Sequence, residues 1–204
     1  STFNLPRDRF NLYEGDLRKV SLHEFVDQAD YVLHLAAITD AASSFENAEE
    51  LELNNYQCTK TIIDACVEKS KPIICLSSTS VYGTQKAIVS EDCSAEDLKP
   101  QSPYAETKLK EERYLESVSN MNAAPIICLR FGTIFGVSPG MRFHTAVNKF
   151  CWQAATGLPL TIWKTALHQK RPYLSLRDAT TALQLIISKD IFSGDLLNVL
   201  TGNF

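Results

Sequence analysis

Apolar runs alternate with amphipathic stretches along most of this 204-residue chain. Residues 10–13 read as a short strand ending at Glu14-Gly15-Asp16, and Ser21 as the cap of a short helix through Gln28. Tyr31-Val32-Leu33-His34-Leu35-Ala36-Ala37 is a continuous apolar run, the mark of a strand buried on both faces. Residues 46–70 read as a long helix, with Leu53, Tyr56, Ile62, Ile63 and Cys66 near helical spacing. Residues 72–77 form a second buried strand, and the polar stretch 83–102 a loop. Ser102 suits an N-cap and Pro103 the first helical position of a helix through Val118. Residues 125–130 are a third buried strand. Past Gly136 the texture changes: a helix over 144–156, short segments punctuated by Gly157, Pro159 and Pro172, a helix over 177–188 and a strand over 195–199.

Strands alternating with helices imply a parallel sheet with helices on both faces. Ligands of such sheets bind beyond the carboxyl ends of the strands. Ala36-Ala37, Ser77-Ser78 and Gly132-Thr133 fall at three such ends, and the helix begun by Tyr104 starts just beyond them.

Composition limits the function without supplying one. A chain that is 45% hydrophobic and 22% charged is an ordinary globular sequence, long enough for one domain or one and part of another. A net charge of −4 gives no footprint for nucleic acid or an acidic membrane surface. No apolar run approaches the ~20 residues of a bilayer span, and the first residues lack a signal-peptide layout. None of the six cysteines forms a C-x-x-C pair, and no His sits at ligand spacing from them. The expectation is reduced structural thiols in a cytoplasmic protein without a metal site. Glu49-Glu50 and Glu111-Glu112 read as solvated helix faces, His34 as a strand-end core residue, and Trp152 and Trp163 as packing residues.

Chemistry concentrates at Tyr104-Ala105-Glu106-Thr107-Lys108, which puts a phenol and an ammonium one turn apart on one helix face. The same Tyr-x-x-x-Lys spacing recurs at Tyr56/Lys60 and Tyr82/Lys86, so spacing alone does not choose among the three. Tyr82 sits before Gly83 in a turn, and Tyr56 precedes the serine-bearing strand. Tyr104 alone follows that strand and opens a capped helix; the plain alternative is an exposed helical pair. A free phenol, with a pKa near ~10, is a poor base until a neighbouring cation lowers it. Ser78 can hold the same substrate oxygen, whereas the ordinary reading of Ser77-Ser78-Thr79-Ser80 is a polar strand-to-loop transition.

The residues, in order, resemble the extended short-chain dehydrogenase/reductases, specifically the NAD-dependent epimerase/dehydratase family acting on nucleotide sugars. Glu14-Gly15-Asp16-Leu17 is similar to a G-D-L segment whose Asp contacts adenine, and His34-Leu35-Ala36-Ala37 to an H-x-A-A strand under the cofactor. Asn55 takes the place of Asn in N-V-x-G-T, with Cys58 replacing the Gly. The stretch from Leu76 to Gly83 resembles S-S-x-x-V-Y-G, and Tyr104 and Lys108 occupy Y-x-x-x-K. Arg130-Phe131-Gly132-Thr133-Ile134-Phe135-Gly136 resembles R-x-x-N-V-Y-G; Val147-Asn148, Arg171-Pro172-Tyr173, Asp178 and Asn198-Val199 follow in register.

The resemblance implies a Rossmann-like, doubly wound α/β fold, with a partial NAD(P)-binding domain over 1–136. A partial substrate lobe with interleaved Rossmann elements would occupy 137–204. It implies Ser78, Tyr104 and Lys108 as catalytic residues, and Asp16, Leu17, Leu35, Ala36, Ala37, Asn55, Tyr104 and Lys108 around NAD or NADP. Ser78, Thr133, Asn148 and Arg171 would meet a nucleoside-diphosphate sugar, Asn148 and Arg171 at its phosphates. A homodimer through the two long helices is a further implication. Three departures shape the expectation. Thr133 stands where many members have Asn. Thr79-Ser80 stand where the dehydratases carry Asp-Glu, which counts against water elimination. No G-x-x-G-x-x-G is present; the resemblance places that loop before residue 1, so the chain is expected to lack the first β-α-β unit and to stop inside the substrate lobe. The expected activity is UDP-glucose 4-epimerase-like. The alternatives are a nucleotide-sugar reductase or dehydrogenase of the same family, or a shortened non-catalytic dinucleotide-fold binding protein.

Overall fold

The computed structural model describes residues 9–39, 45–84, 88–121, 124–162, 164 and 167–204. Residues 1–8 and Trp163 lie outside them. Four strands, β1 (Val32–His34), β2 (Ile73–Ser78), β3 (Ile126–Phe131) and β6 (Leu196–Val199), form one parallel sheet in the order β1-β2-β3-β6.

Strand pleating distributes the core. Ile73 and Cys75 of β2, with Ile126 and Cys128 of β3, pack against α1 (His23–Gln28), α2 (Ala48–Glu68) and α3 (Pro103–Asn120). Their neighbours Ile74, Ile127 and Leu129 face the other way, onto Ala179 and Ile186 of α5 (Leu176–Lys189) and Leu174 of β5 (Pro172–Ser175). Helices therefore cover both faces, as the alternating pattern predicts. Each fully buried aliphatic side chain contributes about 1.5–3 kcal/mol by leaving water. Helix α3 starts as its sequence dictates: Ser102 Oγ accepts from the Ala105 amide at 3.2 Å, and Pro103 occupies the first turn.

A second sheet, β4 (Thr133–Phe135), β5 and β7 (Gly202–Asn203), is absent from the sequence reading. Its strands of two to four residues are too short to carry a period. Gly132 lets the chain pass from β3 straight into β4, because a Cβ there would lie 3.0 Å from the Pro172 carbonyl oxygen. α4 (Ala146–Ala155) precedes this sheet's central strand.

The structure corrects four expectations. Residues 10–13 form no strand, since their backbone has no ladder partner among the described residues. The apolar run from Tyr31 yields only three strand residues; among the described residues β1 pairs with β2 alone, and Leu35 is 57% exposed. Leu22, not Ser21, is the N-cap of α1. Glu111 and Glu112 are buried rather than solvated. Glu112 reaches across to β3, where Arg130 donates through Nε at 2.9 Å and Nη2 at 2.7 Å, and it accepts the Ser77 hydroxyl from β2. This fork ties one helix to two strands.

Glu112→Ala should lower stability by about 3–5 kcal/mol, because Arg130 is left charged and buried without its partner. Denaturant unfolding checks this, and a midpoint equal to the parent's would contradict it.

Candidate active site

A cavity of about 410 Å³ opens beyond the carboxyl ends of β1, β2 and β3. His34, Leu35, Ala36 and Ala37 line it from β1, Leu76, Ser77 and Ser78 from β2, and the 131–136 stretch from β3 and β4. Tyr104 and Lys108 enter from α3, and Arg142, Thr145 and Asn148 close the far side. The structure thus brings together Leu35, Ala36, Ala37, Ser78, Tyr104, Lys108, Thr133 and Asn148.

It also separates the three tyrosine–lysine pairs. Lys60 is paired with Asp64 at 2.5 Å on the outer surface of α2, and the Tyr56 ring carries Lys110 at 4.3 Å. Tyr82 is buried, donating its hydroxyl to Asn198 Oδ1 at 3.0 Å beneath the Arg130 guanidinium, while Lys86 lies outside the described residues. Only Tyr104/Lys108 faces the cavity.

Lys108 crosses from α3 to β2: its Nζ donates to the Leu76 carbonyl at 3.0 Å and to Glu111 Oε2 at 2.9 Å. An ammonium has three protons, so one donor remains for the cavity. Burial pushes the Tyr104 phenol above its ordinary range, with Glu111 adding to the rise and Lys108 and Arg142 opposing it. Ser78 Oγ accepts from the Ser80 amide at 3.2 Å and the Ser80 hydroxyl at 2.9 Å, capping the 3₁₀ turn Thr79–Tyr82. Both lone pairs are engaged, so the Ser78 proton is the group it can offer a ligand. Gly83 ends that turn at φ +68°, where a Cβ would lie 2.2 Å from the Lys99 carbonyl oxygen.

Asp16, Leu17, Asn55 and Arg171 are not among the residues lining the cavity. Asp16 is held by Arg18 through two side-chain hydrogen bonds of 2.8 and 2.7 Å, which keep its carboxyl far below the usual range. Leu17 packs against the core under α1 and α2. Asn55 is fully buried and clamps the loop after β1, accepting from the Ile38 amide at 2.8 Å and donating to its carbonyl at 2.9 Å. Arg171 lies outside the cavity and donates to Gln169 Oε1 at 2.9 Å. Asn148 lines the cavity but spends its amide on the loop, accepting from Gly136 N at 3.2 Å and donating to the Arg142 carbonyl at 3.0 Å. Sequence reasoning missed Arg142 and Thr145; a cation in the Gly-rich stretch after β4 is the signal that points to them. It also missed Thr59, whose hydroxyl lies 2.9 Å from His34 Nε2. Among the described residues no group of acids, His and Cys could hold a metal, and no helix is long and apolar enough to cross a membrane.

Comparison with known proteins gives one consistent picture. The sequence model of the NAD dependent epimerase/dehydratase family matches residues 1–199. An uncharacterized UDP-glucose epimerase, YtcB of Bacillus subtilis, is 31% identical over 199 residues, 96% of this chain and 60% of that protein. A trifunctional UDP-glucose 4,6-dehydratase, 3,5-epimerase and reductase of Arabidopsis thaliana is 27% identical over 190 residues, 88% of this chain and 28% of that one. The UDP-glucuronic acid 4-epimerase of Bacillus cereus, solved with UDP-glucuronic acid and NAD, superposes with a TM-score of 0.80 at 28% identity. That match covers 92% of this chain and 59% of the epimerase, so the chain spans about three fifths of such relatives.

His34 gives a pH dependence. Burial, then the Lys108 charge, pushes its imidazole from 6.5 down to about 4. The unfolded chain therefore binds the proton first, and stability present above 6.5 is lost as pH falls toward 4. The loss between pH 7 and pH 5 should be about 2 kcal/mol. Denaturant unfolding of the parent and of His34→Gln should show a shallower slope in the variant; equal slopes would contradict the assignment.

Proposed function

Because the chain belongs to the NAD-dependent epimerase/dehydratase family, we propose that this cavity is the proton-transfer centre of a nucleotide-sugar 4-epimerase using NAD. The lining fits the nicotinamide–ribose end of such a cofactor. Lys108 has a donor left for a ribose hydroxyl, and Ala36 and Ala37 give a wall without bulk or charge. NAD, when bound, supplies the acceptor that takes hydride from the sugar carbon and returns it to the opposite face. Tyr104 removes the proton of the ring C4 hydroxyl and gives it back on reduction, so the step leaves no net proton. Lys108 favours the phenolate by its charge, and Ser78 donates to the same sugar oxygen. In this reading Thr133, Arg142 and Thr145, which line the cavity, meet the sugar and its diphosphate, and Asn148 holds the Arg142 loop.

The observation that carries this reading is the absence of any Asp or Glu among the described residues lining the cavity. Elimination of water needs a general acid and a general base, and the dehydratases this chain resembles carry Asp-Glu for that work beside the catalytic hydroxyl. Thr79 and Ser80 occupy that place, the first donating to the Phe131 carbonyl at 3.3 Å and the second to Ser78. In our reading residues 1–136 serve the cofactor and 137–204 chiefly the sugar. The protein works in the cytoplasm as a homodimer through the outer faces of α2 and α3.

Tyr104→Phe in the intact protein should cut turnover of a UDP-sugar by about 10²–10⁴ while NAD affinity stays at the parent's level. Steady-state kinetics with a cofactor-binding titration check this; turnover matching the parent would rule the mechanism out.

A further inference from the structure

Glu111 sits three residues after Lys108 on the inward face of α3, in line with Thr107, Leu115 and Val118, and is only 3% exposed. Its Oε2 accepts from Lys108 Nζ at 2.9 Å, and the Thr59 hydroxyl of α2 lies beside the same carboxylate. A buried carboxylate is costly unless it is paired, so its one cationic partner, Lys108, is the contact to explain.

The surroundings of Lys108 supply one. His34 faces it from β1, Cys75 from β2, Cys128 from β3 and Tyr104 from its own helix. None offers a negative charge near neutral pH. The imidazole is pushed down and neutral, and burial raises both thiols and the phenol. Around Glu111 itself stand Cys58 of α2, whose thiol is also raised by burial, and Glu112, whose charge is committed to Arg130. Arg142, across the cavity, adds positive charge near Tyr104. Burial raises the Glu111 carboxyl as well, with the Lys108 charge opposing the rise; among the described residues it is the one carboxyl group in hydrogen-bond contact with the Lys108 ammonium.

We propose that Glu111 is a positioning residue for the proton-transfer site, the internal counter-ion that keeps Lys108 protonated and directed between the Leu76 carbonyl and the cavity. The inference rests on the reading of Tyr104 and Lys108 as the acid–base pair. Burial alone pulls the Lys108 ammonium down; Glu111 is the largest influence opposing it, Tyr104 and Cys128 act the same way, and the net direction is upward. An ammonium that loses its proton can neither favour the Tyr104 phenolate nor donate to a ribose.

The test is an NMR pH titration of the Lys108 side chain in cofactor-free protein, with the signal identified by its loss in Lys108→Met. In the parent, Lys108 should titrate above the ordinary lysine value of 10.5. In Glu111→Gln it should titrate at least about 1 unit lower than in the parent. The alkaline limb of the turnover profile should move the same way. Glu111→Asp, which keeps the charge, should restore both, and thermal unfolding verifies that each variant is folded. A Lys108 titration unchanged by Glu111→Gln, or one shifted equally by Asp and Gln, would overturn the proposal. A parent titration below 10.5 would also overturn it, even if no variant folds. Because this readout needs no turnover, its failure is separate from that of the epimerase reading, which Tyr104→Phe decides.

Discussion

The hydrogen bond from Lys108 Nζ to the Leu76 carbonyl is the crossing on which the site depends. It pins the first turns of α3 to the end of β2. Tyr104 lies one turn earlier on the same helix face, and Ser78 lies two residues after Leu76 on the same side of the strand. One contact therefore sets the phenol and the hydroxyl relative to each other. The Glu112–Arg130 fork, one turn further along α3, repeats the tie to β3 and keeps the helix from sliding along the sheet. Both ties use buried charge, so their geometry is enforced by the cost of leaving either group unpaired.

Much of this was legible in the sequence because its signals are local. The apolar runs at Ile73-Ile74-Cys75 and Ile126-Ile127-Cys128 are strands covered on both faces, and Ser102-Pro103 marks the start of α3. What the sequence hid is non-local. Glu111-Glu112 resembles any solvated helical acid pair; the partner that buries Glu112 is Arg130, and the cation held by Glu111 is committed to β2. The run after Tyr31 looked like a longer buried strand because composition does not reveal that, among the described residues, β1 pairs with β2 alone. The second sheet was invisible because its strands are set by Gly132 and by pairing with each other, not by a hydrophobic period.

The family fixes the class of chemistry, and its relatives include both epimerases and dehydratases. The hydroxyls of Thr79 and Ser80 are turned to the Phe131 carbonyl and to Ser78 at the end of β2, and neither carries a carboxyl group. Asn55 and Asn148, which the resemblance assigns to the cofactor and the sugar, each hold the backbone of a loop beside the cavity.

The most direct test of the central claim follows a label rather than a rate. A UDP-sugar carrying deuterium on C4, incubated with the intact protein and NAD, should yield the C4 epimer with the deuterium still on C4 and none acquired from solvent. That outcome is required if hydride leaves and returns within one site while Tyr104 handles only the hydroxyl proton. Loss of the label to water, or solvent deuterium entering the ring in a heavy-water control, would contradict it.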